Sequence, residues 1–356
     1  MRYVASQHLQ EGMFLAKSLY SKRGRILLRE GRLITDSIIK RLNAMSYPGV
    51  YVNDKLSEGI DIKDVISEDL RHSASLAVGH LLNSLEMGSV ATLDRDMHKI
   101  SQMLNQIIDE IMREPSAVVN LIDLKEFDAY THQHSVNVCV LSCIIGAVLG
   151  LSRDELYNLA LAGILHDIGK IFVGKNILNK PGRLDPEEFE IVKTHSALGS
   201  ELIFEKCQFA PSVSTAILHH HERFDGNGYP LGKSGDDIVL YAQIIAIADV
   251  YDAFTAKRPH REAALPSEAH EYIMGNAGRA FSPALVDVFS KKIAPYPVGI
   301  RVQLSNGLAG IVFSNRGGAL TRPVIRLDPT PGEPGPVCVD LSDAAFSNVT
   351  IRKVLT

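Results

Sequence analysis

The chain reads as mainly α, a helical centre set between a small α+β module at its start and a small β module at its end. Three patterns predict this. Apolar residues recur at spacings of three and four from about residue 59 to residue 295, the periodicity of a helix with one buried face. Residues 1–58 instead mix short alternating segments with one helix, and residues 296–356 return to strand-like runs broken by Gly- and Pro-rich turns.

In the first module, "GRILLREGRLI" and "GVYVND" alternate as strands do, and "TDSIIKRLNAM" is a helix that Thr35 caps. Residues 59–117 form a helical stretch in which Leu93, Met97, Ile100, Leu104, Ile107 and Ile111 stand 4, 3, 4, 3 and 4 apart, with Pro115 as its stop. Such a seam serves two ends. It packs on its own domain, or it pairs central helices into a homodimer.

Residues 118–295 read as successive helices with polar connections. "VCVLSCIIGAVLGL", residues 138–151, falls short of the roughly 20 residues that span a bilayer and is expected to be a buried helix. "LAGILHDIGK" reads as an apolar helix ending at Gly169. The clearest helix start is "LDPEEF": Asp185 caps it, Pro186 opens it, Glu188 closes a capping box, and Leu184 and Phe189 are placed for a hydrophobic staple. His195 then lies well inside that helix. At the end of the chain, "IRVQL", "GIVFS" and "PVIRL" are strands of the small β module.

Composition narrows the function. With 356 residues, 46% of them hydrophobic, the chain has room for two or three cores. A net charge of −4 offers no attraction for a nucleic-acid polymer or an anionic membrane, so a nucleotide ligand should be small. Four cysteines without a CxxC pair suit a reducing, cytoplasmic location, and "MRYVASQHLQEGM" lacks the cationic start and apolar core of a secretory signal.

Polar residues in apolar helices mark the chemistry. His166 and Asp167 are adjacent in "LAGILHDIGK", a pairing that suits two metals because a carboxylate bridges two cations while the imidazole binds one. Ile191, Val192, Leu198 and Leu202 place His195 on the inward face of its helix, and Asp249 sits among apolar residues in "IIAIADVYDAF". His134, in "DAYTHQHSVNV", opens the other very apolar helix. In "HHHERFDGNGYP", residues 219–230, His220 and His221 point about a quarter-turn apart on a helix, so they can serve different metals. Imidazoles mixed with carboxylates, without a cysteine ligand, favour iron or manganese over structural zinc.

These residues resemble the HD-GYP family, the HD-superfamily branch that degrades cyclic di-GMP. "YTHQHSVNV", "HDIGK", "ILNKPGRLDPEEFEIVKTH", "HHERFDGNGYP" and "IADVYDAFTAKRPHREA" follow in the family's order over about half the chain. The resemblance implies an all-helical core at residues 118–295 holding two divalent ions on His134, His166, Asp167, His195, His220, His221 and Asp249. It implies Lys170 as the active-site lysine, and it places basic phosphate contacts at Arg258 and Arg261. His219 has no ligand role there and is expected to be exposed or behind the ligands. The flanks are similar to accessories of this family.

The implied reaction is hydrolysis of cyclic di-GMP to pGpG, with GMP after a second cleavage, by water activated between the two metals. Gly226 and Gly228 are expected to supply positive φ, and the loop of Gly228, Tyr229 and Pro230 to serve as a rigid structural or partner-facing element. Two departures stand out. Gln243 occupies a position where the family often has arginine, and Tyr130 stands where members with three metals carry a glutamate. Rival readings are hydrolysis of another cyclic nucleotide, such as cyclic GMP-AMP, and a non-catalytic cyclic di-GMP sensor.

Overall fold

The seam of residues 93–111 runs along one helix, and its six apolar residues are each no more than 6% exposed. In the computed structural model, which describes residues 1–20, 26–45, 47, 49–87, 93–113, 118, 130–207, 209–256, 263–329 and 337–355, helices dominate throughout the middle of the chain.

The N-terminal flank comprises β1 (Arg2–Ala5), β2 (Phe14–Leu15), β3 (Leu19–Tyr20), β4 (Ile26–Leu28), α1 (Asp36–Ala44) and β5 (Gly49–Asn53). Thr35 caps α1 by accepting from the Ile38 amide at 3.4 Å. β1, β5 and β2 make an antiparallel sheet in the order β1-β5-β2, and β3 pairs with β4.

The core follows with α2 (Glu68–Glu86), α3 (Leu93–Arg113), α4 (Tyr130–Val148), α5 (Arg153–Leu165), α6 (Lys175–Leu178), α7 (Pro186–Lys206), α8 (Pro211–His219), α9 (Leu240–Thr255), α10 (Pro266–Gly275) and α11 (Pro283–Lys292). α3 packs on α2, α4 and α5 of its own chain, so its seam belongs to the core. Of the two ends the seam could serve, the structure shows the first: the apolar face is covered within its own chain. α4 lies between α5 and α9, with Val136, Val138, Cys139, Leu141, Cys143 and Ile145 buried. Among the described residues no helix is long and apolar enough to cross a membrane.

The chain closes with an antiparallel sheet in the order β10-β6-β7-β8-β9, built from β6 (Arg301–Leu304), β7 (Ala309–Ser314), β8 (Val324–Leu327), β9 (Cys338–Asp340) and β10 (Ile351–Val354). The two ends of the chain meet. Ala16, Tyr51, Ile60 and Ile62 share one apolar cluster with Val298, Ile300, Val302 and Ile311. The Tyr3 amide donates to Gly299 O at 3.2 Å, and the Arg326 guanidinium donates to Glu58 O. Gly299 has φ +87°, and a Cβ there would stand 2.7 Å from Ile62 Cδ1, so glycine lets the ends approach.

Candidate metal centre

α5 delivers the His-Asp pair, but it ends earlier than the sequence suggests. Its last residue is Leu165, His166 caps it, and a 3₁₀ turn over Ile168–Phe172 follows. The turn exists because α7 crosses it. A Cβ on Gly169 would lie 1.9 Å from His195 O and 2.6 Å from Gly199 N, so only glycine lets the two backbones pass. The buried stripe of α7 is His195, Ser196, Gly199 and Ile203, whereas Ile191 is 45% exposed. Small residues, rather than the large apolar ones the spacing suggests, bring His195 to Asp167.

Five elements converge here. His134 comes from α4, His166 and Asp167 from the end of α5, His195 from α7, His220 and His221 from the end of α8, and Asp249 from α9. His195 Nε2 stands 3.4 Å from Asp167 Oδ1 and 3.3 Å from His220 Nε2. His166 Nε2 is 3.3 Å from Asp167 Oδ2, while His134 Nε2 is 3.2 Å from Asp249 Oδ1 and 3.8 Å from Asp167 Oδ2. The rings of His220 and His221 are 4.0 Å apart. Among the described residues two groups have donor atoms close enough to share an ion: Asp167 with His195, His220 and His221, and Asp167 with His134 and His166. Asp167 belongs to both.

The electrostatics suit cations. Burial pushes the His221 imidazole down to about 3 against the opposing charge of Asp249, and burial likewise holds His195 and His220 below the usual histidine range. These three rings are neutral ligands at neutral pH. Burial opposes the charged form of His134 too, yet hydrogen bonds and charge from Asp249 and Asp252 carry it up to about 10. Burial also opposes ionisation of Asp167 and Asp249, but His166 and Lys170 keep the first, and His134 the second, well below the usual carboxylate range. The residues present fit divalent ions: His166 Nε2 and Asp167 Oδ1 are buried with no hydrogen-bond partner among the described residues, and such atoms demand one.

The stretch after α8 is a fastened loop. Glu222 is buried, and its carboxylate accepts from the Leu231 amide at 2.7 Å and the Lys233 amide at 3.1 Å. Gly226 has φ +79° as expected, but Gly228 is required for another reason: a Cβ there would lie 2.4 Å from Arg223 N and 2.5 Å from Glu222 Cα. The Tyr229 ring leans on His221 at 4.7 Å and meets Phe189 edge-on at 6.3 Å. Burial, then the charges of Asp167 and Asp249, push its phenol up, so it stays protonated.

The remaining expectations divide. The Lys170 ammonium ion-pairs with Asp167 and stays a third exposed, facing the centre and solvent together. Arg258 and Arg261 lie outside the described residues, as does the side chain of Tyr130. His219 is only 2% exposed, which corrects any surface placement. Gln243 donates to Ile238 O at 2.7 Å and so fastens the turn into α9. Three residues were missed by sequence reasoning: Glu222, Asp252 and Asn137. Asp252 is buried and accepts from His134 Nδ1 at 2.6 Å and from Asn137 Nδ2 at 2.8 Å. Its signal was its position three residues after Asp249, on the same face of α9.

Residues 116–285 match the HD domain family model. A cyclic di-GMP phosphodiesterase of Pseudomonas aeruginosa is 36% identical over 268 residues, covering 74% of this chain and 64% of that protein. Residues 116–285 are thus an HD domain, and the chain is similar to cyclic di-GMP phosphodiesterases of the HD-GYP kind. Other similar proteins include a cyclic di-GMP phosphodiesterase response regulator of Xanthomonas campestris, 40% identical over 145 residues, 40% of this chain and 38% of that one. A 3′3′-cGAMP-specific phosphodiesterase of Vibrio cholerae is 35% identical over 182 residues, 51% of this chain and 39% of its own length. The chain thus spans less than two thirds of each of these relatives.

Proposed function

We propose that this chain is a metal-dependent phosphodiesterase that opens cyclic di-GMP to linear pGpG, with GMP following a second cleavage. The observation that carries the reading is the membership of Asp167 in both groups of ligand-capable side chains. His134, His166, Asp167 and Asp249 would hold one ion, and Asp167, His195, His220 and His221 the other. Bound divalent ions lower the pKa of water from about 15.7 towards about 7 and offset charge on phosphoryl oxygens. Nitrogen and oxygen donors without thiolate favour iron, with manganese the alternative.

The chain's own groups do the rest. Lys170 holds its ammonium beside Asp167, where it can donate to a phosphoryl oxygen as charge builds there. Arg258 and Arg261 are assigned the second phosphate by resemblance. Glu222 keeps the loop of Gly228, Tyr229 and Pro230 closed over His221, which excludes water on that side and leaves Leu231, 60% exposed, for a protein partner. The four free cysteines suit a cytoplasmic site of action.

A second reading, hydrolysis of 3′3′-cyclic GMP-AMP, is favoured by the name of the Vibrio cholerae relative. Protein loaded anaerobically with Fe²⁺ or Mn²⁺, incubated in parallel with both dinucleotides and followed by chromatography, tests the proposal. Faster release of pGpG from cyclic di-GMP is expected. A higher kcat/KM on cyclic GMP-AMP would favour the second reading, and binding without turnover a sensor.

A further inference from the structure

The imidazoles of the centre are oriented in two different ways. His166, His195 and His220 each place Nδ1 on a carbonyl of their own helix: Gly163 O at 2.8 Å, Val192 O at 2.6 Å and Ile217 O at 2.6 Å. Those bonds form wherever the helices form. His134 instead places Nδ1 on Asp252 Oδ2 at 2.6 Å, a carboxylate brought from a separate helix. Behind that carboxylate stands a chain of polar groups: Asn137 Nδ2 donates to Asp252 Oδ1 at 2.8 Å, and Arg71 Nη1 donates to Asn137 Oδ1 at 2.9 Å. It runs from α2 through α4 to α9 and back to the ring.

Donor and acceptor chemistry gives this chain one direction. A guanidinium only donates and a carboxylate only accepts, so the Asn137 amide between them must turn its oxygen to Arg71 and its nitrogen to Asp252. With Asp252 accepting on both oxygens, His134 keeps a proton on Nδ1, so that a cation displacing the Nε2 proton shared with Asp249 finds Nε2 as its ligand atom. That atom points at Asp249 Oδ1 and Asp167 Oδ2. Gln133 also reaches Asn137 Oδ1, at 3.2 Å, but its amide can turn either way and imposes no direction. Arg71 is placed by α2, whose start is held to the N-terminal flank by Lys17, 2.7 Å from Asp64 and 3.6 Å from Glu68.

We infer that Arg71 is a positioning residue for the metal centre: acting through Asn137 and Asp252, it selects the His134 tautomer and holds that ring for one of the two ions, a role that rests on the metal-dependent reading above. It contacts neither ion nor substrate. Replacing the partner behind a ligating histidine typically weakens metal binding about 10–100-fold, and Arg71 stands two hydrogen bonds beyond that partner, so an effect at the low end, about tenfold, is expected.

The test uses the full chain, stripped of metal and titrated calorimetrically with Mn²⁺ alone. Arg71→Met should weaken one ion per chain about tenfold and leave the other in place, and Arg71→Lys, which keeps a charged donor, should recover most of the loss. The Co²⁺ absorption spectrum of Arg71→Met should change for one ion only. If Arg71→Met fails to fold, Asn137→Asp, which sets a second carboxylate against Asp252, should produce the same one-ion loss. Unchanged affinity, or equal weakening of both ions, would overturn the inference while leaving the metal reading intact. No Mn²⁺ binding by the unaltered chain would overturn the metal reading, and the role of Arg71 would fall with it.

Discussion

The helical core and the flank built from the two chain ends both bury charge, and they treat it in opposite ways. In the flank, buried charge is answered within the chain: Arg2 meets Asp54 at 2.7 Å, and Lys17 meets Asp64 at 2.7 Å. In the core, two ionised carboxylates and a set of neutral imidazoles converge, and His166 Nε2 and Asp167 Oδ1 find no hydrogen-bond partner among the described residues. Flank charge therefore closes contacts between distant segments. Core charge is only partly answered, by Lys170 at Asp167 and by His134 at Asp249, and the partnerless Asp167 Oδ1 is left to draw a cation.

The most severe way to break this contrast is Asp167→Ala. It removes the carboxylate common to both ligand groups, so both ions should be lost and kcat/KM should fall about a thousandfold or more, a metal's charge stabilisation being worth several kcal/mol. Elemental analysis and circular dichroism should find a folded, metal-poor protein. Normal metal content with full activity would show that the open charge of the core has another purpose.

Leu104→Glu probes the core where it carries no chemistry. Leu104 is fully buried against its own chain, so an unpaired carboxylate there should destabilise the fold by about 4 kcal/mol or more, measured by urea denaturation. Dissociation of a stable dimer into folded monomers, seen by light scattering, would contradict the intramolecular seam.

A smaller effect is expected at the edge of the centre. Glu222→Ala leaves the Leu231 and Lys233 amides without their acceptor, at a cost of about 1–3 kcal/mol. Limited proteolysis should cut residues 226–234 faster, and KM should rise more than kcat falls.

The least effect belongs to the flank. Burial raises the Asp54 carboxyl, but the hydrogen bond and charge of Arg2, with further hydrogen bonds from Ser57, outweigh it and leave the pKa lowered. A lowered carboxylate pKa stabilises the folded state above the unfolded value of about 3.9, and that contribution is lost as pH falls through the folded value. Stability between pH 6 and pH 3 should therefore fall by about 1 kcal/mol more in the parent than in Asp54→Asn, the pair being partly solvated.

Much of the centre was legible in the sequence because polar residues in apolar helices stand out. His134, His166, Asp167, His195, His220, His221 and Asp249 were picked on that ground or by resemblance, and the fold brings them together. Asp252 follows the same rule, three residues after Asp249 on the same face of α9. Glu222 was hidden in a run of polar residues, where nothing marks one acid as buried. The end of α5 was misplaced because glycine usually signals a helix stop, whereas Gly169 is there for the close passage of α7.

What the sequence determined by itself is what short-range interactions decide: caps such as Asp185 on the Glu188 amide at 2.8 Å, helix and strand periods, and the chemical kinds of side chain available to the centre. Only the tertiary structure decided that the seam of α3 closes inward, that the two chain ends share a cluster, and that His134 is held by Asp252, 118 residues away in sequence. A capping bond repeats with fixed spacing and so leaves a pattern. A contact between distant helices depends on how every intervening element packs, and no local spacing records it.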